Sequence, residues 1–410
     1  MEQVIERGAG LDIHRDSVVV CVRVPGPAGK REQHVRTFGT TTAELIGLRD
    51  WLEAHGVTHV AMESTGVYWK PVYYMLEEGC VCLLVNAAHI KQVPGRKTDV
   101  KDCVWIAELL EHGLLRGSFV PPPFIRDLRD LTRYRRALID ERTREANRLH
   151  KLLQEAGLKL ASVASDILGV SGRAMLAALA HGTTDADVLA DLARGKLRRK
   201  LPALRQALTG RFRPHHAFLA SQLLAHLDAL DELLDTLTLR IGEVLLPFAA
   251  VIHRLDTIPG YSTQTAEEVV AELGFDMSVF PTDRHVSSWT GLCPGHHESA
   301  GKHRSGRTRK GNRWLRQTLV RAAHAARYSK DTALAARYHR VARHRGAKKA
   351  LVAVAHALLV TAYHVIKEQT TYRELGFDYN DRRDAERTRR RAVTTLERQG
   401  YRVILEPRAA

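Results

Sequence analysis

The sequence has few cysteines and lacks the patterns that mark a cysteine-ligated metal site, a secreted protein or a membrane protein. Its five cysteines show none of the paired spacings of zinc or redox sites. They are Cys21, Cys80, Cys82, Cys103 and Cys293. Cys80 and Cys82 alternate within the apolar run CVCLLVN, which favours a buried strand over a pair of ligands. Because there is also no signal peptide and no apolar run of membrane length, we expect a protein of the reduced cytoplasm with no membrane partner.

Acidic residues are scarce as well. The 410 residues include 46 Asp and Glu against 62 Lys and Arg, which gives a net charge of +16. Between Lys302 and Lys349 there are sixteen Lys or Arg residues and a single acid, Asp331, so this segment carries nearly all of the excess charge. We therefore expect it to bind a polyanion. A hydrophobic content of 44% is enough for two or three folded domains and excludes a disordered chain.

The first 123 residues predict an α/β domain. GLDIH and SVVVCVRV predict two strands joined by a tight turn, and REQHVRTF predicts a third. The rest of the succession is a helix at TTAELIGLRDWLEAHG, a strand at THVAMES, a helix at GVYWKPVYYMLEEG, a strand at CVCLLVN and a helix at KTDVKDCVWIAELLEHG. Three meandering strands followed by alternating helix and strand are typical of a ribonuclease-H-like fold.

Four carboxylates fall where this fold would bring them together. Asp12 lies inside the first strand, where a carboxylate in an apolar run is costly unless something compensates it. Glu63 ends the fourth strand, which lies beside the first in this topology. Asp99 and Asp102 share one face of the last helix. Since four converging carboxylates repel one another unless a dication lies between them, we predict a Mg²⁺ or Mn²⁺ site here.

Two of these four acids also have a purely structural explanation. Acids early in a helix are favoured by its dipole, which could explain Asp99 and Asp102 without a metal. The carboxylate of Asp12 has no such explanation, which favours a catalytic site that orients water or a sugar hydroxyl on a phosphodiester. Lys97 and Lys101 would then face phosphate.

Residues 124–247 predict a helical arm. We expect one long helix over residues 124–157, a small helical insert over 158–216, and a second long helix that Pro247 ends. The second helix carries apolar residues at alternating steps of four and three, which is the heptad seam of a coiled coil. The seam consists of Leu223, Leu227, Leu230, Leu234, Leu237, Ile241 and Val244. It is either an internal hairpin or a dimer interface, and both remain open.

Residues 248–370 predict a mostly helical domain that binds nucleic acid. The turn in IPGY, followed by an apolar helix, resembles a helix-hairpin-helix in which Gly260 presents backbone N–H groups to a phosphate, although a plain helical turn is the alternative. A flexible loop and a basic helix beginning near Asn312 follow. Their cations should contact phosphate: Lys302, Arg304, Arg307, Arg309, Lys310, Arg313 and Arg316. Residues 371–410 predict a charged, solvated tail.

A serine among these cations could attack a phosphate. Cationic donors lower the pKa of a hydroxyl and stabilise the charge that develops during attack. Ser287, Ser288, Ser299 and Ser305 all lie in this region, and serines are common turn residues, so the residues alone do not distinguish among them.

Together the motifs resemble the transposases of the insertion-sequence-110 family over roughly residues 8 to 370. They are GLDIHRD, AMESTGVYW, KTDVKD, IPG, W-x-G-L-x-P, ESAGK and KGNRWLR. The resemblance implies a RuvC-like domain with a D-E-D-D quartet at Asp12, Glu63, Asp99 and Asp102. It also implies a C-terminal transposase domain whose nucleophile is Ser299. Some relatives carry Ser-Ser-Gly-Gly where this chain has Glu298-Ser299-Ala300-Gly301, which leaves Ser299 as the only serine of the motif.

The resemblance further implies a mechanism and partners. Serine attack on DNA would give a covalent phosphoserine, followed by strand exchange and by rejoining assisted by the metal-bound quartet. Donor and target DNA would be selected by base pairing to a structured bridge RNA. We expect a homo-oligomer, as a dimer or as a tetramer on DNA, in the bacterial cytoplasm and at the nucleoid when active. Two alternatives are a RuvC-like nuclease or junction resolvase without serine chemistry, and a non-catalytic nucleic-acid-binding protein.

Overall fold

The computed structural model describes residues 3–27, 30–64, 66–86, 102–295, 298–299, 302–303, 307–379, 382 and 385–405. The chain divides into two compact units, Met1–Val120 and Pro121–Ala410. The predicted divisions of the second unit at residues 247 and 370 stay predictions.

The first unit is a mixed α/β structure, as predicted. Its elements are β1 (Gly8–Ile13), β2 (Ser17–Pro25), β3 (Arg31–Gly39), α1 (Thr42–Ala54), β4 (His59–Glu63), α2 (Trp69–Leu76), β5 (Val81–Val85) and α3 (Asp102–Glu111). The five strands form one sheet in the order β3-β2-β1-β4-β5. The β1–β2 and β2–β3 pairs are antiparallel, whereas β1–β4 and β4–β5 are parallel. The expectation that the first and fourth strands lie side by side is therefore confirmed.

Different helices cover the two faces of this sheet. Leu11 and Met62 belong to a core cluster that also contains residues of α1 and α2. On the other face, Ala61 packs with Ile106 and Leu110 of α3. Alternate residues of a strand point to opposite faces, so the odd-numbered residues of β1 face α1 and α2 while the even-numbered ones face α3.

The second unit is mostly helical, also as predicted. Its helices are α4 (Pro123–Glu155), α5 (Leu160–Val163), α6 (Val170–Ala180), α7 (Ala186–Asp191), α8 (Leu201–Leu208), α9 (Pro214–Leu245), α10 (Ala249–Asp256), α11 (Thr263–Leu273), α12 (Asp283–Thr290), α13 (Arg313–Ala326), α14 (Ala333–Arg345), α15 (Ala347–Glu368) and α16 (Ala385–Arg398). Short 3₁₀ turns lie at Gly195–Lys200, Leu246–Phe248 and Met277–Val279. The strands β6 (Glu298–Ser299) and β7 (Lys302–His303) form an antiparallel pair.

The helices α4 and α9 pack as an antiparallel hairpin. Arg142 donates to Asp231 at 3.1 Å, and His226 lies 3.6 Å from Glu145, so the two helices run in opposite directions. Leu227 belongs to a core cluster shared with the insert of short helices between them. The first half of the leucine seam thus serves an internal hairpin. Leu234 and Leu237 of the second half are only half-buried, and the dimer interpretation stays a prediction for that half.

Two helical segments are long and apolar enough to cross a membrane, which corrects the expectation that no such segment exists. They are Pro214–Asp256 and Ala347–Glu368. Length and composition are the only grounds for this, and one or two such helices are weak evidence for a membrane protein. The helix α15 supplies core residues of the second unit, among them Leu358 and Tyr363, which gives its apolar composition a structural cause.

Candidate active site and nucleic-acid interface

Asp12 and Glu63 lie at neighbouring positions on the same face of the sheet. The parallel register pairs Leu11 with Met62, so the next residue of each strand, Asp12 and Glu63, lies beside the other. Leu11 and Met62 point into the core below α1 and α2, and the two carboxylates therefore point to the face that α3 covers. Both residues are half-buried. Nε2 of His14 lies 3.3 Å from a carboxylate oxygen of Asp12.

Gly10 lets α3 approach this face closely. A Cβ at Gly10 would overlap the carbonyl oxygen of Cys103 and the backbone nitrogen of Ala107, so only glycine allows the contact. Asp12 follows Gly10 by two residues on the same face, and Asp102 immediately precedes Cys103. The close packing thus brings the first turn of α3 toward the carboxylates of the sheet. The need for glycine at position 10 was not predicted from the sequence. The available signal was that Gly10 lies two residues before Asp12 and therefore on the same face of the strand.

The predicted quartet and its neighbouring bases are described only in part. Asp99, Lys97 and Lys101 lie outside the described residues. Within the described part of the chain, no group of three or more His, Cys, Asp or Glu side chains is arranged to hold a metal ion. The donors that are described, the carboxylates of Asp12, Glu63 and Asp102, are nevertheless the oxygen ligands that Mg²⁺ prefers.

The segment that carries Ser299 leaves α12 and returns to α13 with its two ends pressed together. Gly291 ends α12 in the left-handed region with φ of 73°. A Cβ at Gly311 would lie 2.5 Å from the carbonyl carbon of Thr290, so the returning chain requires glycine here. The backbone N–H of Gly295 donates to the carbonyl oxygen of Arg307 at 2.9 Å. These contacts close the base of a hairpin whose described residues are 291–295, 298–299, 302–303 and 307–311.

Ser299 lies farther out in this hairpin. Its backbone belongs to β6 and pairs with Lys302 of β7, so the expectation of a flexible loop is wrong for these residues, because strand pairing orders their backbone. Two other candidate serines are not in a loop either. Ser287 and Ser288 lie in α12; Ser287 is only 2% exposed, whereas Ser288 is exposed. Ser305 lies outside the described residues.

A buried glutamate anchors the end of this hairpin to two other helices. Asn312 caps α13 by accepting from the backbone N–H of Trp314 at 3.0 Å, and its amide donates to the Glu272 carboxylate at 2.6 Å. Glu272 of α11 is 3% exposed and also accepts two hydrogen bonds from Arg133 of α4, at 2.7 and 2.8 Å. Residues of α4, α11 and the start of α13 are therefore fixed to one carboxylate. This network was not predicted from the sequence, although Arg129, Arg133 and Arg136 at helical spacing were a signal of it.

The predicted phosphate contacts differ in their surroundings. Arg307, Arg309, Lys310 and Arg313 are exposed. Arg316 is half-buried and its guanidinium donates to the carbonyl oxygen of Gly291 at 3.3 Å, so it braces the base of the hairpin. The backbone of Lys302 lies in β7, and Arg304 lies outside the described residues.

Gly260 lies in the predicted turn between two helices, α10 and α11. Its φ of 88° requires glycine, and a Cβ would lie 2.5 Å from the carbonyl oxygen of Ala322 in α13. Close packing on α13 therefore accounts for this glycine without a nucleic acid. Its predicted contact with phosphate stays a prediction.

Comparisons with known proteins agree with these features. A DEDD transposase model of the IS110 family matches residues 9–157, and a model described as transposase of the IS116/IS110/IS902 family matches residues 252–340. The chain is similar to the transposase for insertion sequence element IS1111A of Coxiella burnetii (strain RSA 493 / Nine Mile phase I), with 27% identity over 327 residues, 77% of this chain and 79% of that protein. It is also similar to the transposase for insertion sequence element IS1328 of Yersinia enterocolitica, with 25% identity over 297 residues, 72% of this chain and 78% of that protein. From the two family matches and these relatives, the chain carries transposase domains of the IS110 family and is a DNA transposase.

Proposed function

We propose that this transposase recombines DNA with two sets of groups: metal-binding carboxylates on a ribonuclease-H-like, RuvC-like sheet and the nucleophilic hydroxyl of Ser299. The observation that carries the proposal is the register that sets Asp12 beside Glu63 on the face covered by α3. A sheet order of β3-β2-β1-β4-β5 supports the ribonuclease-H-like assignment. Two half-buried acids at neighbouring positions on one face are an arrangement that a shared divalent cation would stabilise.

The proposed metal ligands are Asp12, Glu63, Asp99 and Asp102, which would hold Mg²⁺ or Mn²⁺. A bound divalent ion stabilises negative charge on the scissile phosphate and on the departing oxygen. The protein residues hold and orient this site. Gly10 fixes the distance between α3 and β1, and half-burial of Asp12 and Glu63 reduces competition from water.

Ser299 is the proposed nucleophile. Attack of its hydroxyl oxygen on a phosphodiester forms a phosphoserine and releases a 3′ hydroxyl. Attack by a 3′ hydroxyl of the other duplex on that phosphoserine then breaks the serine–phosphate bond, rejoins the strand and regenerates the serine hydroxyl. The pairing of β6 with β7 supports this role because it orders the backbone of the serine. The exposed cations Arg309, Lys310 and Arg313 follow the hairpin and are available to bind the DNA backbone.

We also propose that a structured bridge RNA selects donor and target DNA, that the protein acts as a homo-oligomer, and that it works in the bacterial cytoplasm. The segment from Lys302 to Lys349, with sixteen cations and one acid, supports binding of more than one nucleic acid. The half-buried seam residues Leu234 and Leu237 support self-association of α9.

The test is recombination of donor and target DNA by the purified protein with its element-encoded RNA and Mg²⁺. Asp12→Asn should abolish joining, because the amide cannot replace a charged metal ligand, and removal of divalent ions should do the same. Asp16→Asn is the matched control, since Asp16 is 79% exposed in the adjacent turn. Joining by Asp12→Asn at the wild-type rate would contradict the proposed site.

A further inference from the structure

A cleft outside the Ser299 hairpin carries aromatic rings and cations that neither the proposed chemistry nor the family match assigns. It lies between the end of α13, the start of α14 and residue 377, and it has a volume of about 580 Å³. This volume is in the range of ligand pockets. The residues that matter here are Arg327, Tyr328, Lys330, Tyr338, His339 and Phe377.

The aromatic rings are held in place by one arginine. The guanidinium carbon of Arg327 lies 4.4 Å from the ring centre of Tyr328 and 5.6 Å from that of Tyr338. The guanidinium also donates to both phenol oxygens, at 3.3 Å for Tyr338. A ring that is fixed in this way loses little conformational entropy when a second flat group stacks on it.

The outer face of Tyr328 is open. The residue is 74% exposed although Arg327 covers one face of its ring, and Phe377 across the cleft is 49% exposed. Both rings line one open cleft together with the cations Arg327 and Lys330, which gives a flat anionic ligand a surface to stack on.

The charge around the cleft favours an anion. Lys330 and His339 line it, and Arg340 of α14 is exposed nearby in sequence. Two described acids close to the cleft already have partners: Glu374 accepts from the backbone N–H of Ala333 at 2.9 Å, and Asp378 pairs with Arg382 at 3.0 Å. Among the described residues that line the cleft, Asp331 is the one acid, against the cations Arg327 and Lys330.

We propose that this cleft binds an unpaired base of a single-stranded nucleic acid, stacked on Tyr328, with the adjoining phosphate near Lys330. Bases within a duplex already cover one another and offer no free face, whereas single strands stack on exposed aromatic side chains beside cations. The inference rests on the proposed function in that nucleic acid is the ligand. It adds a specific site for unpaired DNA or RNA.

The experiment measures binding of the full-length protein to short oligonucleotides that carry the fluorescent base 2-aminopurine. Single-stranded DNA, single-stranded RNA of the same sequence and duplex DNA are compared. Tyr328→Ala should weaken binding of one or both single strands roughly tenfold and reduce the quenching of the fluorescent base, with duplex binding unchanged. The strand that loses affinity identifies DNA or RNA as the ligand.

Three controls separate the possible outcomes. Tyr328→Phe keeps the stacking ring and loses only the phenol oxygen that accepts from Arg327, so it should lose much less affinity than Tyr328→Ala. Tyr134→Ala removes another exposed tyrosine, 53% exposed on α4, and should have no effect. Lys330→Gln should flatten the salt dependence of binding, which Tyr328→Ala should leave unchanged. Unchanged single-strand affinity and quenching in Tyr328→Ala would overturn the stacking site while leaving the proposed recombination intact. Failure of the wild type to bind any of the three probes would overturn both.

Discussion

Only glycine at position 10 is small enough to let α3 pack directly on β1. A methyl group at this position would meet the backbone of α3 at Cys103 and Ala107. We predict that Gly10→Ala lowers the free energy of unfolding by about 2 kcal/mol, as overpacking against a rigid backbone does, and impairs recombination by displacing α3. Urea unfolding of the full chain measures the first effect.

Gly47 provides the matched control for that substitution. It lies in α1, where a methyl group at its Cα would have no atom within 4 Å, so Gly47→Ala should raise stability by about 0.5 to 1 kcal/mol through helix propensity. Equal effects of the two substitutions would show that α3 does not pack on Gly10 as described.

The thiols of Cys80 and Cys82 should be unreactive near neutral pH. Burial raises the pKa of Cys82 to about 12 and also raises that of Cys80 above its usual 9. Between pH 9 and 12 the thiol ionises in the unfolded chain but stays protonated in the folded protein. The stability contribution of the protonated thiol is therefore fully present below pH 9 and is lost as the pH rises through 12. Alkylation and peptide mapping of the native protein should leave both thiols unmodified until denaturant is added. Fast native labelling of Cys82 would contradict the shielding of this half-buried thiol from water.

At the scale of elements, the helices α4, α11 and α13 depend on the carboxylate of Glu272. Glu272→Gln leaves Arg133 without its charged partner, and we predict a loss of about 3 kcal/mol in unfolding free energy. The substitution should also slow recombination, since glutamine offers one acceptor oxygen where Arg133 and Asn312 now share two. Glu243→Gln is the control: its pair with Arg240 is exposed, and its removal should change stability by less than about 0.5 kcal/mol. Similar losses of unfolding free energy in both variants would mean that the Glu272 carboxylate does not hold the three helices together as described.

The elements also show what the sequence could predict. The strands of the first unit and the long helices α4 and α9 were predictable because their apolar residues repeat with the period of each structure. The helix α12 was missed because its sequence, DRHVSSWT, contains little apolar periodicity; packing of Val286 and the turn at Gly291 define it instead. The pairing of Arg133 with Glu272 joins residues 139 positions apart, and no local pattern specifies which of many arginines and glutamates meet.

The candidate site, too, could be predicted only where a local sequence pattern specifies it. Its carboxylates could be selected from the sequence because Asp12 interrupts an apolar strand, and the observed register agrees with the expected neighbour, Glu63. The requirement for Gly10 depends on how closely α3 approaches the sheet, which is a property of tertiary packing. Arg316 was predicted to contact phosphate, yet its donation to Gly291 gives it a structural role.

At the scale of the whole molecule, the positive charge is concentrated in one segment of the second unit. Neutralising Arg309, Lys310 and Arg313 to Gln should flatten the log–log salt dependence of duplex DNA binding by about 0.9 for each phosphate that is no longer bound. Arg49→Gln, on α1 and paired with Asp50 at 2.9 Å, is the control and should leave the slope unchanged. An unchanged slope in the triple variant would place these exposed side chains away from DNA.

The proposed mechanism is tested most directly by identifying the protein atom that becomes covalently bonded to DNA. The reaction is trapped on labelled DNA, the protein is digested, and the labelled peptide is identified by mass spectrometry. We predict an adduct on Ser299, its loss in Ser299→Ala with DNA and RNA binding retained, and its persistence in Ser288→Ala, which removes an exposed serine of α12. An adduct on a tyrosine, or efficient joining with no adduct at all, would contradict the proposed mechanism.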